Sequence, residues 1–480
     1  MKPVSLPAFF KTILLCLPLC SLFPCSATAQ FLWEKVYNLD FSATAYSAVE
    51  TDDHNFLVTG RALSNDSFQL LLMKVAPNGD LLWHKRLAGV AGEHSRIIAR
   101  TADQNFMIVG SSVQYMILLK INADGEPLWK RYVRKDRAGI CLDLTADGGV
   151  IALGSYTTPL NGELISYVFA AKFDSLGNEQ WSNTYFQQAD AWPEAIEQTP
   201  DGGYIIGGTH AANSTGGGFL LKLTGAGAVS WFRTYKNPGM HKDYFRFAAT
   251  TNDGGFVLCG WENSILLPPM QQNPDAYIIR TNASGIQTDY YLVGVANSVE
   301  LANHIFQNAS NQFILTGETD EPGDNKNVLL ALVSPTGATQ KKCFFGTPDF
   351  DRGQSALETT DHSILVVGHT SSATVNWRKP YLIKTNWQCS TVTSSEPGPE
   401  TAGISVYPNP TGAILHVDLP PDAGVSCSVE YFDALGRLVA TAALRPSGNE
   451  TDVSFLAPGV YTYRVLQNKQ RLKTGKIIRL

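Results

Sequence analysis

Short apolar runs that end in glycine recur along the chain about every fifty residues. A second apolar run follows each of them, most of these lead into a turn with glycine, and in several copies the next segment begins with Trp. The first runs are about five residues long and rich in β-branched residues, so they predict strands rather than helices. The seven first runs are FLVTG (56–60), FMIVG (106–110), VIALG (150–154), YIIGG (204–208), FVLCG (256–260), FILTG (313–317) and ILVVG (364–368).

Asp-Gly pairs stand directly before several of these runs, as in TADGG (145–149), TPDGG (199–203) and TNDGG (251–255). Such pairs accept the positive φ that tight hairpin turns require. We therefore expect each pair to reverse the chain between the first and second strands of a repeated unit. The glycine at the end of each run is expected to let the chain leave a crowded sheet.

The repeated unit contains four strands, because a more polar strand precedes the first run and a further strand follows the second turn. Its two middle strands are apolar on both faces, so units must stack on one another, and this length is typical of a β-propeller blade. The seventh copy, YLIKTNWQCS (381–390), lacks a fourth strand, whereas QFLWEKVY (30–37) matches one. The pattern predicts an all-β chain with a seven-bladed β-propeller of four-stranded blades over residues 30–390, closed by residues 31–37.

Units such as DGGYIIGG…FLLKLTGAGAVSWFRTY (201–235) resemble the secreted repeat propellers of Bacteroidota, over about residues 31–390. Copies five to seven depart from that pattern, since IQTDYY and ATQKKCFF lack the Trp and NASNQ and TTDHS lack the double glycine. The repeats are also similar to the Trp-bearing repeats of pyrroloquinoline-quinone dehydrogenases, although the adjacent cysteines common in those enzymes do not occur. The fourth-strand tryptophans are expected to pack between blades; they are Trp83, Trp129, Trp181 and Trp231.

A Ser/Thr/Pro-rich stretch at 391–401 is typical of a linker, and alternating strands between Pro and Gly turns follow it. They predict a small C-terminal immunoglobulin-like β-sandwich over residues 402–480. This segment closely resembles the type A C-terminal sorting domain of the type IX secretion system, which implies that the secretion machinery is a partner; an adhesive module is the alternative. The residues that carry the resemblance are Pro408, Asn409, Pro410, Asp433, Gly436, Gly459, Tyr461 and Lys476.

Residues 1–29 have the layout of a signal peptide, with lysines, an apolar stretch and small residues before a cut between Ala29 and Gln30. We therefore expect a secreted or outer-surface protein. No later segment is apolar for long enough to cross a bilayer, so no transmembrane segment is expected. A net charge of −6 gives no sign of a basic patch, so nucleic acid is not an expected partner.

The cysteines and the motif search indicate no cofactor and no metal site. Five of the eight cysteines follow the predicted signal peptide, and no CxxC pair occurs. Cys141 and Cys259 fall in apolar segments and are expected to be buried. Cys343 and Cys389 could form a disulfide, but the sequence alone does not establish that geometry. Nucleophile-elbow, HExxH, Walker and EF-hand motifs are absent from the sequence.

Loop lengths place the predicted binding site on one face of the propeller. Loops between second and third strands vary widely in length, and in a propeller they share a face with the links between blades. Exposed aromatic side chains among acids on that face would suit a sugar or peptide ligand. The candidate ligand-binding residues are Trp261, Trp377, His241, Tyr244, Asp349 and Asp351. Each has a plainer interpretation, as a packed aromatic residue, a surface histidine or a turn-forming acid.

The main prediction is a secreted or cell-surface propeller that acts as a non-catalytic binding or scaffold protein and is exported by the type IX system. The alternative is an exported polysaccharide-active enzyme or quinoprotein that uses the variable face. A purely structural role in a surface layer is a third possibility. The sequence shows no catalytic residues, and two carboxylates at the central funnel would favour the enzyme.

Overall fold

The computed structural model describes residues 32–64, 67–87, 92–135, 138–160, 163–186, 190–211, 217–235, 243–262, 274–294, 298–321, 326–372, 377–389, 392–393, 404–407, 411–419, 427–432, 438–445, 449–467 and 470–479. Regular structure in these ranges consists of β-strands. Among them there is no helix of the length and apolarity that a membrane span needs.

Seven propeller sheets follow one another along the described residues, and the first six each join four strands antiparallel in chain order. The seventh takes its fourth strand, β1 (Trp33–Val36), from the start of the described chain. The remaining strands of these sheets are, for sheet 1, β2 (Ser42–Glu50), β3 (Phe56–Ser64), β4 (Ser67–Val75) and β5 (Leu81–Leu87); for sheet 2, β6 (His94–Arg100), β7 (Phe106–Ser111), β8 (Tyr115–Ile121) and β9 (Pro127–Lys135); for sheet 3, β10 (Ala138–Leu144), β11 (Val150–Leu160), β12 (Glu163–Phe173) and β13 (Glu179–Tyr185); for sheet 4, β14 (Asp190–Gln198), β15 (Tyr204–Ala211), β16 (Gly217–Leu223) and β17 (Val229–Tyr235); for sheet 5, β18 (Asp243–Thr250), β19 (Phe256–Glu262), β20 (Asp275–Thr281) and β21 (Gln287–Leu292); for sheet 6, β22 (Glu300–Gln307), β23 (Phe313–Thr319), β24 (Asn327–Val333) and β25 (Thr339–Phe345); and for sheet 7, β26 (Phe350–Glu358), β27 (Ile364–Ser371) and β28 (Arg378–Thr385).

The hydrophobic core lies between neighbouring sheets. Ile151 of sheet 3 packs in one cluster with Ile206 and Leu221 of sheet 4, and all three are fully or almost fully buried. The middle strands of each sheet are buried on both faces, which explains why their sequences do not alternate. The predicted fold class, an all-β propeller of repeated four-stranded blades, is confirmed, and the sheets are called blades 1 to 7 below.

The ring is closed by β1, as the sequence predicts. Trp33 stands opposite Lys384 and Val36 opposite Tyr381 in an antiparallel pair with β28. On the other side of blade 7, the Ser355 hydroxyl donates a 2.9 Å hydrogen bond to a backbone oxygen of blade 1. One feature was not predicted: β29 (Val392–Thr393), inside the expected linker, pairs parallel with β1 and adds a fifth strand to this sheet.

The fourth-strand tryptophans pack on the next blade, as expected. Each indole ring covers the glycine of the turn between the third and fourth strands of that blade. A Cβ on Gly125 would lie 2.6 Å from the ring of Trp83, and a Cβ on Gly79 would lie 2.6 Å from the ring of Trp33. Because Trp33 belongs to the closing strand, the same contact joins blade 7 to blade 1. The prediction of interblade packing is confirmed.

In five of the blades, an aspartate in the turn between the first and second strands forms an ion pair with a buried lysine of the third strand. In blade 4 the Lys222 ammonium group, at the end of the third strand, lies 2.9 Å from the Asp201 carboxylate of the Asp-Gly turn. Since a buried charge needs a partner, this pair fixes the turn to the sheet. The equivalent pairs are Lys74–Asp53, Lys120–Asp103, Lys172–Asp147 and Lys384–Asp361, and blade 5 uses Arg280–Asp253.

A disulfide joins Cys343 to Cys389, whose Cα atoms are 5.3 Å apart. Cys343 lies in the fourth strand of blade 6, and Cys389 lies in the turn that follows β28 of blade 7. The bond therefore fastens the junction between two blades where the fourth strand carries no tryptophan. Cys141 and Cys259 are buried free thiols, as expected.

The C-terminal residues form two further sheets that pack around a separate core. One has the order β30 (Ser405–Tyr407), β31 (Ile414–Asp418) and β34 (Asn449–Asp452). The core includes Leu415 from this sheet and Val429 and Val465 from the second one. The second sheet consists of β33 (Leu438–Leu444), β32 (Cys427–Phe432), β35 (Gly459–Gln467) and β36 (Gln470–Arg479), in that order. A small C-terminal β-sandwich is therefore present, as predicted.

Candidate functional site

The first strand of every propeller blade carries a β-bulge at the same place. In each case one residue of the first strand has no partner on the second strand, so the pairing register shifts there. Bulges commonly redirect a side chain near a functional site. The extra residues are Tyr46, Arg96, Ile140, Glu194, Arg246, Asn303 and Gln354.

The glycine that ends each apolar run makes room for the bulge. A Cβ on Gly154 would lie 2.6 Å from the carbonyl oxygen of Ala138, and at the other six glycines the equivalent distance is shorter still. The expectation that this glycine lets the chain leave the sheet is wrong, because the second strands continue past it, as β3 does to Ser64. Glycine is needed at this position because the first-strand backbone approaches it too closely to leave room for a Cβ atom.

All seven extra residues line one cavity of about 290 Å³ at the centre of the ring. Seven first strands surround it, so every blade contributes to its wall. His369 near the end of β27 and Arg378 at the start of β28 also line it. These two residues flank the variable loop of blade 7, so the cavity lies toward the face with the irregular loops. Its size is at the lower end of the range for small-molecule sites.

The cavity wall is rich in arginine. Four guanidinium groups line it, and among the described lining residues Glu194 is the one carboxylate. The guanidinium group of Arg246 lies 3.3 Å from Glu194, and Arg352 pairs with Glu318, which is outside the cavity. Within the described residues, no carboxylate forms an ion pair with the other two, Arg96 and Arg378. The cavity therefore carries an excess of positive charge.

Burial in this cavity shifts the pKa values of Arg378 and Glu194. Burial, together with the nearby Arg61 and Arg352, lowers the pKa of Arg378. Burial raises the pKa of Glu194, and the guanidinium groups of Arg246 and Arg96 oppose that change. Electrostatic interactions are stronger in such surroundings than in bulk water. A bound anion would therefore be held more firmly here than on the open surface.

Several polar atoms of the cavity have no hydrogen-bond partner among the described residues. They are Nδ1 of His369, Nδ1 of His304 and Nε of Arg246. His369 is only 5% exposed, and burial lowers its pKa to about 3, so its imidazole is neutral near pH 7. Buried polar atoms are nearly always paired, so this set indicates room for water or a ligand.

Two of the predicted ligand-binding residues connect with this cavity. The rings of Tyr244 and Trp261 are stacked with centroids 5.3 Å apart. The guanidinium carbon of Arg246 lies 4.8 Å from the ring centroid of Trp261. This cation–π contact links the aromatic pair to an arginine of the cavity wall. Trp377 is 42% exposed and precedes Arg378 in the chain.

Asp349 and Asp351, two further predicted ligand-binding residues, do not line this cavity. Asp351 is buried, and its carboxylate accepts a 2.6 Å hydrogen bond from the backbone nitrogen of Thr347. Burial raises the pKa of Asp351 to about 6. The backbone nitrogen of Asp349 donates to the Thr347 hydroxyl at 3.1 Å. This pair organises the link before β26, which agrees with the plainer interpretation of turn-forming acids. His241 lies outside the described residues.

A second cavity, of about 180 Å³, continues along the central axis and includes two more carboxylates. Asp143 accepts a 2.7 Å hydrogen bond from the backbone nitrogen of Gln198, and Glu197 accepts one of 2.6 Å from Thr250. Burial raises the pKa of Glu197 to about 7. Both carboxylates thus connect neighbouring first strands. In the described part of the chain, no three His, Cys, Asp or Glu side chains come together as a metal site would require.

The sorting-motif residues are described only in part. Gly459 begins β35, and the Tyr461 hydroxyl donates a 2.9 Å hydrogen bond to the backbone oxygen of Ala457. Lys476 of β36 stands opposite Thr462 in the sheet. The other motif residues, Pro408, Asn409, Pro410, Asp433 and Gly436, lie outside the described residues, as do Ala29 and Gln30 of the predicted cleavage site.

Comparison with known proteins gives distant structural matches. A protein of unknown function from Bacteroides caccae is 10% identical, with a TM-score of 0.39, covering 64% of this chain and 94% of that one. YCF48 bound to D1 peptide is 13% identical, with a TM-score of 0.45, covering 75% and 99%. Drosophila Plexin A in complex with Semaphorin 1b is 8% identical, with a TM-score of 0.42, covering 74% and 87%. Scores this low identify no ligand. A search of curated proteins found no match.

One family matches the C-terminal part of the sequence. Residues 405–479 match the secretion system C-terminal sorting domain. This range spans β30 to β36, the strands of both C-terminal sheets. The match agrees with the predicted resemblance to type IX sorting domains and implies a secreted or outer-surface location. The chain therefore carries a secretion-system sorting domain behind a β-propeller.

Proposed function

We propose that this protein is a secreted or cell-surface propeller that binds a ligand in its central cavity without converting it. In this proposal residues 1–29 are a signal peptide, residues 30–390 form the propeller, 391–401 are a linker and 402–480 direct export through the type IX machinery. The sorting-domain match supports the export route. The repeats support a place among the secreted repeat propellers of Bacteroidota.

The convergence of the seven bulges is the observation that carries the proposal. Every first strand carries a bulge at the same level, and at each bulge the neighbouring strand has a glycine whose Cβ would overlap the first-strand backbone. The bulges direct residues of different chemistry, such as Tyr46, Arg96 and Asn303, into one cavity. Rigid strands that present varied polar groups to a concave site are typical of ligand recognition.

Asp143 and Glu197 line one axial cavity, which is the arrangement that would favour an enzyme. We propose binding rather than catalysis because neither of them lines the arginine-rich cavity, and because each carboxylate named here near the axis has a partner. Glu194 pairs with Arg246, whereas Asp143 and Glu197 accept backbone hydrogen bonds. A general acid and base for sugar hydrolysis would need two carboxyl groups facing one substrate bond. We assign Trp261 and Tyr244 to the rim of this binding site, because their rings are stacked and Trp261 contacts Arg246 of the cavity wall.

A cavity-filling variant tests this proposal. Gln354→Trp would place an indole ring in the cavity, and Gln287→Trp places one on the exposed fourth strand of blade 5 as a matched control. The mature propeller and both variants are applied to a glycan array and a peptide array. We expect binding that Gln354→Trp abolishes and Gln287→Trp preserves. Equal binding by all three proteins, or cleavage of a bound glycan by the wild type, would contradict the proposal.

A further inference from the structure

We infer that the ligand of the central cavity is an acidic glycan, held through the carboxylate of a uronic-acid unit. This inference rests on the proposed function and adds a ligand class to it. Arg96 and Arg378 supply the charge, while Tyr46, Asn303 and Gln354 supply the surface for a sugar ring. One cavity thus brings together positively charged and uncharged polar groups.

The two arginines without a carboxylate partner point to an anionic ligand. Arginines on a cavity wall are usually balanced by nearby acids, as Arg246 and Arg352 are here. Arg96 and Arg378 line the same cavity, and neither forms an ion pair with a carboxylate among the described residues, although Arg96 lies close enough to Glu194 to lower the pKa of that carboxylate. The guanidinium group binds carboxylates through two parallel hydrogen bonds, which gives direction as well as strength. An incoming carboxylate would supply the missing negative charge.

The uncharged groups of the wall favour a sugar ring over an amino-acid side chain. Tyr46 presents an aromatic ring whose centroid lies 5.9 Å from the guanidinium carbon of Arg61 and 5.7 Å from that of Arg96. Asn303 donates to the Gly353 backbone oxygen at 2.8 Å, which leaves its amide oxygen to accept from a hydroxyl. Gln354 forms no hydrogen bond to the described residues, so its amide can both donate and accept. The amide groups can form hydrogen bonds with the hydroxyl groups of a sugar ring, and the aromatic side chain can pack against its face.

A neighbouring groove gives a longer ligand a way out of the cavity. Arg378 lines both the central cavity and a groove of about 100 Å³ at the junction of blades 7 and 1. Arg61 and Phe68 line that groove, with the guanidinium carbon 4.7 Å from the ring centroid. A second uronic-acid unit of the same glycan could therefore reach Arg61. The groove therefore offers an arginine and an aromatic ring, the same kinds of group that line the central cavity.

The test compares two cavity variants with a matched surface variant. Arg96→Gln and Arg378→Gln remove charge without breaking an ion pair of the described residues, since Glu194 keeps its pair with Arg246. Arg131→Gln removes an exposed arginine from a fourth strand. The probes are a tetramer of galacturonic acid, its methyl ester and tetraglutamate, titrated calorimetrically at low and high salt. We expect binding of the free acid that high salt weakens and that each cavity variant weakens about tenfold or more. Arg131→Gln should bind like the wild type.

The other outcomes separate this inference from the proposed function. If the methyl ester binds as well as the acid, the ligand is a neutral glycan, and the inference fails while cavity binding stands. If tetraglutamate binds better than the sugar tetramer and is lost in Arg96→Gln, the cavity selects acidic peptides and the glycan assignment fails. If the cavity variants bind the free acid as tightly as the wild type does, the site lies elsewhere. Equal circular dichroism spectra and melting curves exclude misfolding as the cause of a loss.

Discussion

Replacing Gly260 by alanine should destabilise the propeller through the bulge at Arg246. The new methyl group would overlap the backbone oxygen of Tyr244, which lies across the pair of strands at that point. Cβ contacts below 3.0 Å are essentially never seen, and the oxygen cannot rotate away as a side chain would. The first strand of blade 5 must therefore move before alanine fits.

The size of the effect follows from two opposing contributions. A shift of the packed strand by roughly 1 Å is an overpacking defect, which costs about 1–3 kcal/mol. Alanine also restricts the unfolded chain, which stabilises the protein by about 0.4–1 kcal/mol. We expect Gly260→Ala to lower the free energy of unfolding by about 1–2 kcal/mol. Gly154→Ala should cost less, because its added carbon lies 2.6 Å from the oxygen of Ala138, the mildest overlap of the seven.

Urea denaturation followed by tryptophan fluorescence measures this difference. All nine tryptophans lie between Trp33 and Trp387, so the signal reports the propeller and not the C-terminal domain. The midpoint should fall for Gly260→Ala with an unchanged slope. Moving the bulge also moves Arg246, so ligand binding should weaken in the folded variant. The reasoning is refuted if Gly260→Ala is as stable as the wild type, or if Gly154→Ala is the more damaging of the two.

Three further predictions concern closure, the disulfide and acid stability. Trp33→Ala should lower the stability of the propeller by about 3–5 kcal/mol in urea denaturation, because a buried indole of the closing strand is lost. Reducing the disulfide between Cys343 and Cys389, whose sequence separation is 46, should cost about 4 kcal/mol in the chain-entropy account and lower the melting temperature, with no effect of reductant on the double serine variant. The hydrogen bond from Lys172 lowers the pKa of Asp147 to about 2, so this carboxylate stabilises the fold above its unfolded pKa and the contribution is lost as the pH falls from about 4 to 2. Melting temperatures across that range should fall less steeply for Asp147→Asn.

The propeller could be predicted because its determinants repeat along the chain. Apolar middle strands and glycine turns occur in all or most copies, and QFLWEKVY differs little from other fourth strands. Each feature acts between residues close in sequence, or between equivalent positions of neighbouring copies. The closing pair of Trp33 with Lys384 could be predicted for the same reason.

The cavity could not be predicted in this way because its residues do not repeat. Tyr46, Arg96 and Glu194 occupy the same structural position, yet they share no chemistry and each precedes its repeat's apolar run. A sequence signal did exist, because the apolar run of every second strand ends in glycine. The first-strand backbone approaches each of these glycines closely, and the bulge lies at that point of the first strand. Trp261 and Tyr244 were identified as aromatic residues beside the segments of variable length, although the structure places both rings, half-buried, on strands β19 and β18.

Closure by β1 also determines when the propeller can complete its folding. The Tyr381 hydroxyl donates to the Glu34 carboxylate across 347 positions of sequence, and contacts so distant form late because the intervening chain must first be brought together. Blades 1 to 6 are each built from one continuous stretch of chain, whereas blade 7 needs β1 to reach β28. Until these two segments are in the same compartment, the propeller of an exported chain lacks the fourth strand of blade 7 and keeps an open sheet edge.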